Sequence, residues 1–157
     1  MTDIDKLLSL EEIRLLKYKY FRGIDTKDYD LLVSIYHPDI EVDFRDAAVD
    51  TTTGKTYFES DITGGVLRGR ETAARSAVEV MSITKSAHHG HNPEIEFTSD
   101  DTATGLWAMM DLVRYNGGVP AKELKGYGYY HETYVRVDGA WKIKSIKLTR
   151  TFVDFIE

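Results

Sequence analysis

At 157 residues and 42% hydrophobic content, the chain has the length of one domain and enough apolar side chains to bury a real core. Twenty Lys and Arg against 26 Asp and Glu leave a formal charge of −6, which works against generic attraction to phosphate backbones; no local basic patch offsets it, so nucleic acid is not an expected partner. With no cysteine, disulfides, thiolate nucleophiles and cysteine-ligated zinc or iron–sulfur sites are excluded by inventory.

The opening MTDIDKLLSLEEIR carries acids where a secretory signal needs a basic flank and an apolar run, and no stretch approaches the length of a membrane span. The expected location is therefore the cytoplasm, with no membrane partner. Ser9 followed by Glu12 has the spacing of a capping box, and Leu10, Ile13, Leu16, Phe21 and Ile24 recur at helical spacing. This predicts a helix over about residues 9–24 with one face buried. DTKDYDLLVSIY predicts a second short helix, capped by Asp25 or Thr26 and ended by His37-Pro38. Ile40 to Phe44 alternates as a strand does, whereas Ala47 to Lys55 is polar and aperiodic, a loop or flap. Gly69-Arg70-Glu71 opens a third amphipathic helix running through Val78 and Met81.

Everything after that helix is strand-like. Residues 93–98, 102–115 and 124–137 are β-branched and aromatic runs separated by Ser99-Asp100-Asp101 and Asn116-Gly117-Gly118. Asp138-Gly139 is a hairpin turn into a last strand. There Trp141 and Ile143 share one parity and Ile146 and Leu148 the other. Burying both sets on one face requires a bulge or sharp coil near Ser145. Helices first and a bent sheet afterwards predict a single α+β domain, 1–157, in which a curved antiparallel or mixed sheet wraps the N-terminal helices as a cone and its concave face forms a pocket.

Three blocks, LLKYKYFRGIDTKDYD, HHGHNPEIEFTSDDTATGLWAMMD and GYYHETYVRVDGAWKIKSIKLTRTF, resemble the SnoaL-like branch of the nuclear-transport-factor-2-like superfamily. Within it the spacing is most similar to bile-acid dehydratase and, more distantly, to scytalone dehydratase and a hexachlorocyclohexane dehydrochlorinase. The resemblance implies a pair formed by an aspartate at the end of the first helix and a histidine at the start of a strand, here Asp25 and His88, with Tyr20 matching a helix tyrosine and Arg150 a pocket arginine. Where those dehydratases carry a second tyrosine, this chain has Phe44, which keeps the ring and loses the phenol; Tyr57, Tyr115 and Tyr127 are the candidate replacements.

Read residue by residue, a neutral imidazole at His88 takes a proton near neutral pH, and a carboxylate orients it and stabilises its charged form. The same residues also allow Asp25 to cap the second helix and His88 to be one of several loop histidines. Ile95 and Phe97 share parity with His89 and His91, so His88 points inward only if the strand breaks near Gly90 or Pro93; His91 is the reserve. His89 and His91 have H-x-H spacing, but no third ligand is apparent and no metal is expected. Tyr20 is either catalytic or core. Arg150 shares the parity of Ile146, Leu148 and Phe152 and either binds ligand or pairs with a carboxylate, for which Asp111 is a candidate; Asp111 is otherwise a second acid or base. Phe44, Trp107, Tyr115, Tyr127, Asp111, His91 and Arg150 make up the expected substrate-binding set.

Together with these residues, the resemblance implies a cofactor-independent lyase, a dehydratase acting on a hydrophobic cyclic or steroid-like hydroxy-carbonyl substrate, with no metal or nucleotide required. A double-bond isomerase or dehydrohalogenase shares its first step, and a non-catalytic small-molecule-binding domain is the alternative of a different class. Long sheet edges and an apolar sheet surface, together with the resemblance, predict a homodimer or homotrimer.

Overall fold

The computed structural model describes residues 1–50, 53–54, 65–117 and 122–156. Its elements in chain order are α1 (Asp3–Thr26), α2 (Tyr29–Ile35), β1 (Tyr36–Asp43), β2 (Val66–Arg68), α3 (Arg70–Met81), β3 (Thr84–Phe97), β4 (Thr102–Tyr115), β5 (Glu123–Val137) and β6 (Ala140–Ile156). The six strands form one mixed, curled and unclosed sheet in the order β2-β1-β6-β5-β4-β3, with β1 parallel to β6 and every other pairing antiparallel. No helix among the described residues is long and apolar enough to cross a membrane.

The first helix starts earlier than its periodicity predicts. Thr2, not Ser9, is the cap: its hydroxyl accepts from the Asp5 N–H while the Asp5 carboxylate accepts from the Thr2 N–H. Ser9 lies inside the helix, buried, donating to the Asp5 carbonyl and accepting from Arg136. The helix ends at Lys27 in the left-handed conformation, and α2 is capped by Asp28, which accepts from the Leu31 N–H. Neither Asp25 nor Thr26 caps it, so the Asp25 carboxylate is left for another partner. Gly23 lets the helices close together, because a Cβ there would stand 2.8 Å from Leu32 Cδ2.

Strand β4 alternates cleanly, with Ala103, Trp107, Met109, Asp111 and Val113 on the buried face. β5 does the same with Leu124, Tyr130, Glu132 and Tyr134. β6 keeps its core face inward by slipping register twice. Lys144 is the extra residue between Ile143 and Ser145, the bulge that the change of parity predicts, and it carries burial from Trp141 and Ile143 to Ile146, Leu148 and Arg150. A second slip at Thr151 returns burial to Val153. Phe152 therefore does not share the inward face of Arg150, as simple parity suggests. It is exposed and stacks on Tyr127 across the outer surface, with ring centroids 4.4 Å apart.

Candidate active site

Strand β3 begins at Thr84, well before the run that reads as strand, and pairs with β4 so that His88 stands opposite Asp111. The register slips between His91 and Glu94, where Asn92 has φ 43° ahead of Pro93. This break reconciles the two parities of β3. Upstream of it His88 turns inward while His89 and His91 are exposed on the outer side, their rings stacked at 6.3 Å. His91, the reserve base and expected substrate contact, thus lies away from the cavity. Among the described residues no third His, Asp or Glu gathers beside the two outward rings.

Asp25, in the last turn of α1, reaches across to this strand. Its Oδ1 lies 2.6 Å from His88 Nδ1 and accepts from the Ser86 hydroxyl at 2.7 Å, while Oδ2 accepts from the His88 backbone N–H at 3.0 Å. Partial burial pushes this carboxyl upward, but the hydrogen bonds from the His88 ring and backbone and from Ser86 outweigh it and hold Asp25 below its ordinary range. An ionised Asp25 accepts from Nδ1–H, which leaves the Nε2 lone pair facing the cavity. Nε2 lies 3.8 Å from Asp111 Oδ2, beyond hydrogen-bond reach.

Arg150 closes the site from β6. Its Nη1 and Nη2 donate to the two Asp111 carboxylate oxygens at 3.1 and 2.8 Å, and its Nε donates to the Ala47 carbonyl at 2.8 Å. Both charged side chains are almost wholly buried, so the pair satisfies the demand that an inward arginine meet an anion. Room for it comes from Gly126 on the intervening strand: a Cβ there would stand 2.2 Å from Arg150 Nη1 and 2.3 Å from Asp111 Oδ1.

The cavity in front of these groups measures about 420 Å³, a size suited to a drug-sized organic molecule. Its polar end carries His88, Asp111, Arg150 and the phenols of Tyr20, Tyr36 and Tyr130; its walls are mainly apolar, among them Ile24, Val42, Leu148, Met81 and Val113, with Phe44 and Tyr115 also lining it. Burial raises the phenols of Tyr20, Tyr36 and Tyr130 far above their usual range and pushes Tyr115 up to about 12, so all four stand protonated at neutral pH, with Tyr20 and Tyr130 hydrogen-bonded to each other. Tyr20 reaches the cavity directly, whereas Asp25 stands behind His88. The 140° between them on a regular helix suits this division, one facing the cavity and the other the strand.

Two expected wall residues lie elsewhere. Trp107 is core, its indole N–H donating to Tyr134 Oη at 2.9 Å. Tyr127 faces out, since Asp111 pairs with Gly126 and the next residue on β5 projects through the opposite face. Tyr57 lies outside the described residues. The sequence reading missed Ser86, two residues before His88 on the same side of the strand, and Gly126, a glycine inside a strand of the kind that marks a close approach. It missed Tyr36 and Tyr130 as well, which carry no signal distinguishing a cavity phenol from a core one.

Solved structures of known proteins share this architecture. A scytalone dehydratase-like protein from Novosphingobium aromaticivorans aligns with TM-score 0.77 at 21% identity over 99% of this chain and 93% of its own. A hexachlorocyclohexane dehydrochlorinase of type 2 aligns with TM-score 0.79 at 23% identity over 99% and 94%, and the type-3 enzyme from Novosphingobium barchaimii with TM-score 0.77 at 23% over 99% and 94%. At these identities the likeness is one of fold. The SnoaL-like domain family matches residues 5–147 of the sequence, nearly its whole length, and the chain belongs to that family.

Proposed function

We propose that this protein is a cofactor-independent lyase, a dehydratase of hydrophobic cyclic or steroid-like hydroxy-carbonyl compounds. The observation that carries the reading is the His88–Asp25 pair, closed at 2.6 Å and with Nε2 directed into an apolar cavity. A pair out of reach would have favoured a binding module without chemistry.

In the proposed reaction His88 Nε2 takes the proton from the carbon next to the substrate carbonyl. Asp25 holds the ring and stabilises the imidazolium. A neutral phenol, Tyr20 or Tyr130, donates to the carbonyl oxygen as negative charge gathers there. The electron pair of the broken C–H bond becomes the new C=C bond as the β-hydroxyl leaves. The imidazolium passes its proton to that departing oxygen, so the products are an enone and water and the enzyme returns to its starting state. The fold shared with a scytalone dehydratase-like protein supports this outcome. Phe44 in the place of a phenol supports a second outcome, a double-bond isomerase or dehydrohalogenase, in which the first proton transfer is unchanged; the imidazolium's proton then goes to another carbon, or the C–H electron pair forms the C=C bond as a halide leaves and the imidazolium gives its proton to solvent.

The test is incubation with a 3-keto steroid bearing a β-hydroxyl, followed by the absorbance of the conjugated enone. Wild type is expected to form it, and His88→Ala to be slower by about 10²–10⁴-fold, the usual worth of a positioned base. Equal rates in the two proteins remove His88 from the mechanism.

A further inference from the structure

Helix α1 is apolar on two faces. One, with Ile13, Leu16, Tyr20 and Ile24, packs into the core. On the other side Ile4, Leu7, Leu8, Leu15 and Tyr18 stand in solvent, each between 48% and 71% exposed. At 100° per residue these five fall within an arc of about 100°, opposite the core face. They are half of the ten large exposed apolar side chains among the described residues, gathered on one helix. Single exposed apolar residues need no explanation, but a contiguous stripe does. Ile4, Leu8, Glu11, Leu15, Tyr18 and Arg22 follow one another at alternating steps of four and three, the spacing of a helix–helix seam.

The charges on either side say what covers it. The first half of α1, residues 3–14, bears Asp3, Asp5, Glu11 and Glu12 with Lys6 and Arg14, a net of −2 from four acids and two bases; the second half bears Lys19 and Arg22, a net of +2. Lys17 and Asp25 are not counted, because Lys17 is buried against Glu132 and Asp25 is bonded to His88. A second α1 laid antiparallel sets acid half against basic half, and the helix dipoles oppose favourably. A parallel copy sets like against like. A membrane surface suits the stripe poorly, since an interfacial helix flanks its apolar face with Lys and Arg where this one opens with acids.

We infer that the exposed stripe of α1 is a self-association surface, covered by the same stripe of a second copy of this chain packed antiparallel. The surface lies outside the cavity and stands independently of the proposed activity.

Leu8→Glu combined with Leu15→Glu alters only exposed positions, so the variant is expected to keep the wild-type circular dichroism while its mass by light scattering falls twofold and its melting temperature, unlike that of wild type, no longer depends on protein concentration. The wild-type association should also weaken with added salt. The absence of cysteine in the natural chain makes orientation directly readable. Glu11→Cys, near the middle of the seam, is expected to form an intermolecular disulfide under mild oxidation. Ile4→Cys is expected not to, because antiparallel packing leaves the two copies of residue 4 about 20 Å apart. An unchanged mass in the double variant overturns the inference, as does cross-linking at Ile4→Cys but not at Glu11→Cys. A monomeric wild type that partitions onto phosphatidylcholine vesicles overturns it too.

Discussion

Asp25 and His88 are 63 positions apart, and their contact at 2.6 Å settles which of two uses Asp25 has, because the helix-capping role falls to Asp28. The carboxylate accepts three hydrogen bonds, and its lowered pKa carries a sign for stability. A folded value below the unfolded one of about 3.9 makes the stabilisation complete above that value and loses it as pH falls through the folded one. Asp25→Asn is therefore expected to flatten the acid limb of a melting-temperature profile taken from about pH 6 to about pH 2. A limb as steep as that of wild type would show that other carboxylates carry it. The residue types at both positions are legible in the sequence. The inward turn of His88 is not, because it depends on Asn92 taking a left-handed conformation just before Pro93, and strand periodicity has no register for a bulge until the partner strand is known. The outward placement of His91 follows from the same bulge.

At the scale of elements, α1 is tied to β5 by a buried ion pair. Lys17 Nζ lies 2.5 Å from Glu132 Oε1, with both side chains fully buried, and 3.4 Å from the centroid of Tyr130. Tyr134 and Trp107 extend the network from the other Glu132 oxygen. Burial lowers Lys17 to about 8 in spite of its partner. Removing one member strands the other charge, so Lys17→Met is expected to cost about 3–5 kcal/mol by urea unfolding, and Lys17→Met combined with Glu132→Leu to recover much of it. A double variant no better than the single one would mean that the pair, rather than its stranding, supplies the stability. Gly126→Ala addresses β5 more narrowly. Its methyl would displace the Arg150–Asp111 pair, so a loss of about 1–3 kcal/mol is expected, against the small cost of the same change in an open strand. The long strands, the third helix and the first β6 bulge are all legible from periodicity. Strand β3 is lost before residue 93 because its first half reads as a histidine-rich loop, and the Thr151 slip is hidden because Phe152 is apolar on either face.

The sheet brings these local arrangements into one space. It is unclosed, runs from β2 to β3, and presents the inner side chains of its long strands to a cavity that α1 and α3 help to line. At the inner end of that cavity Arg150 is bonded to Asp111 and His88 to Asp25, Glu79 of α3 is a further charge in its lining, and the remaining wall is mainly apolar. A neutral cyclic ketone is accordingly expected to bind and raise the melting temperature, by about 2.7 kcal/mol of added stability at a hundredfold excess over its dissociation constant. A carboxylated analogue of the same ring system is expected to raise it less; the reverse order would mean that Arg150 is available to an anion. The account as a whole depends on an imidazole whose Nδ1–H is held by Asp25 and whose Nε2 is bare toward the cavity. Long-range proton–nitrogen correlation of the histidine rings in mildly alkaline solution reads this directly. The expected result is one ring locked with the proton on Nδ1, absent in His88→Ala and released in Asp25→Asn. A His88 ring carrying its proton on Nε2, or unchanged by Asp25→Asn, would contradict it.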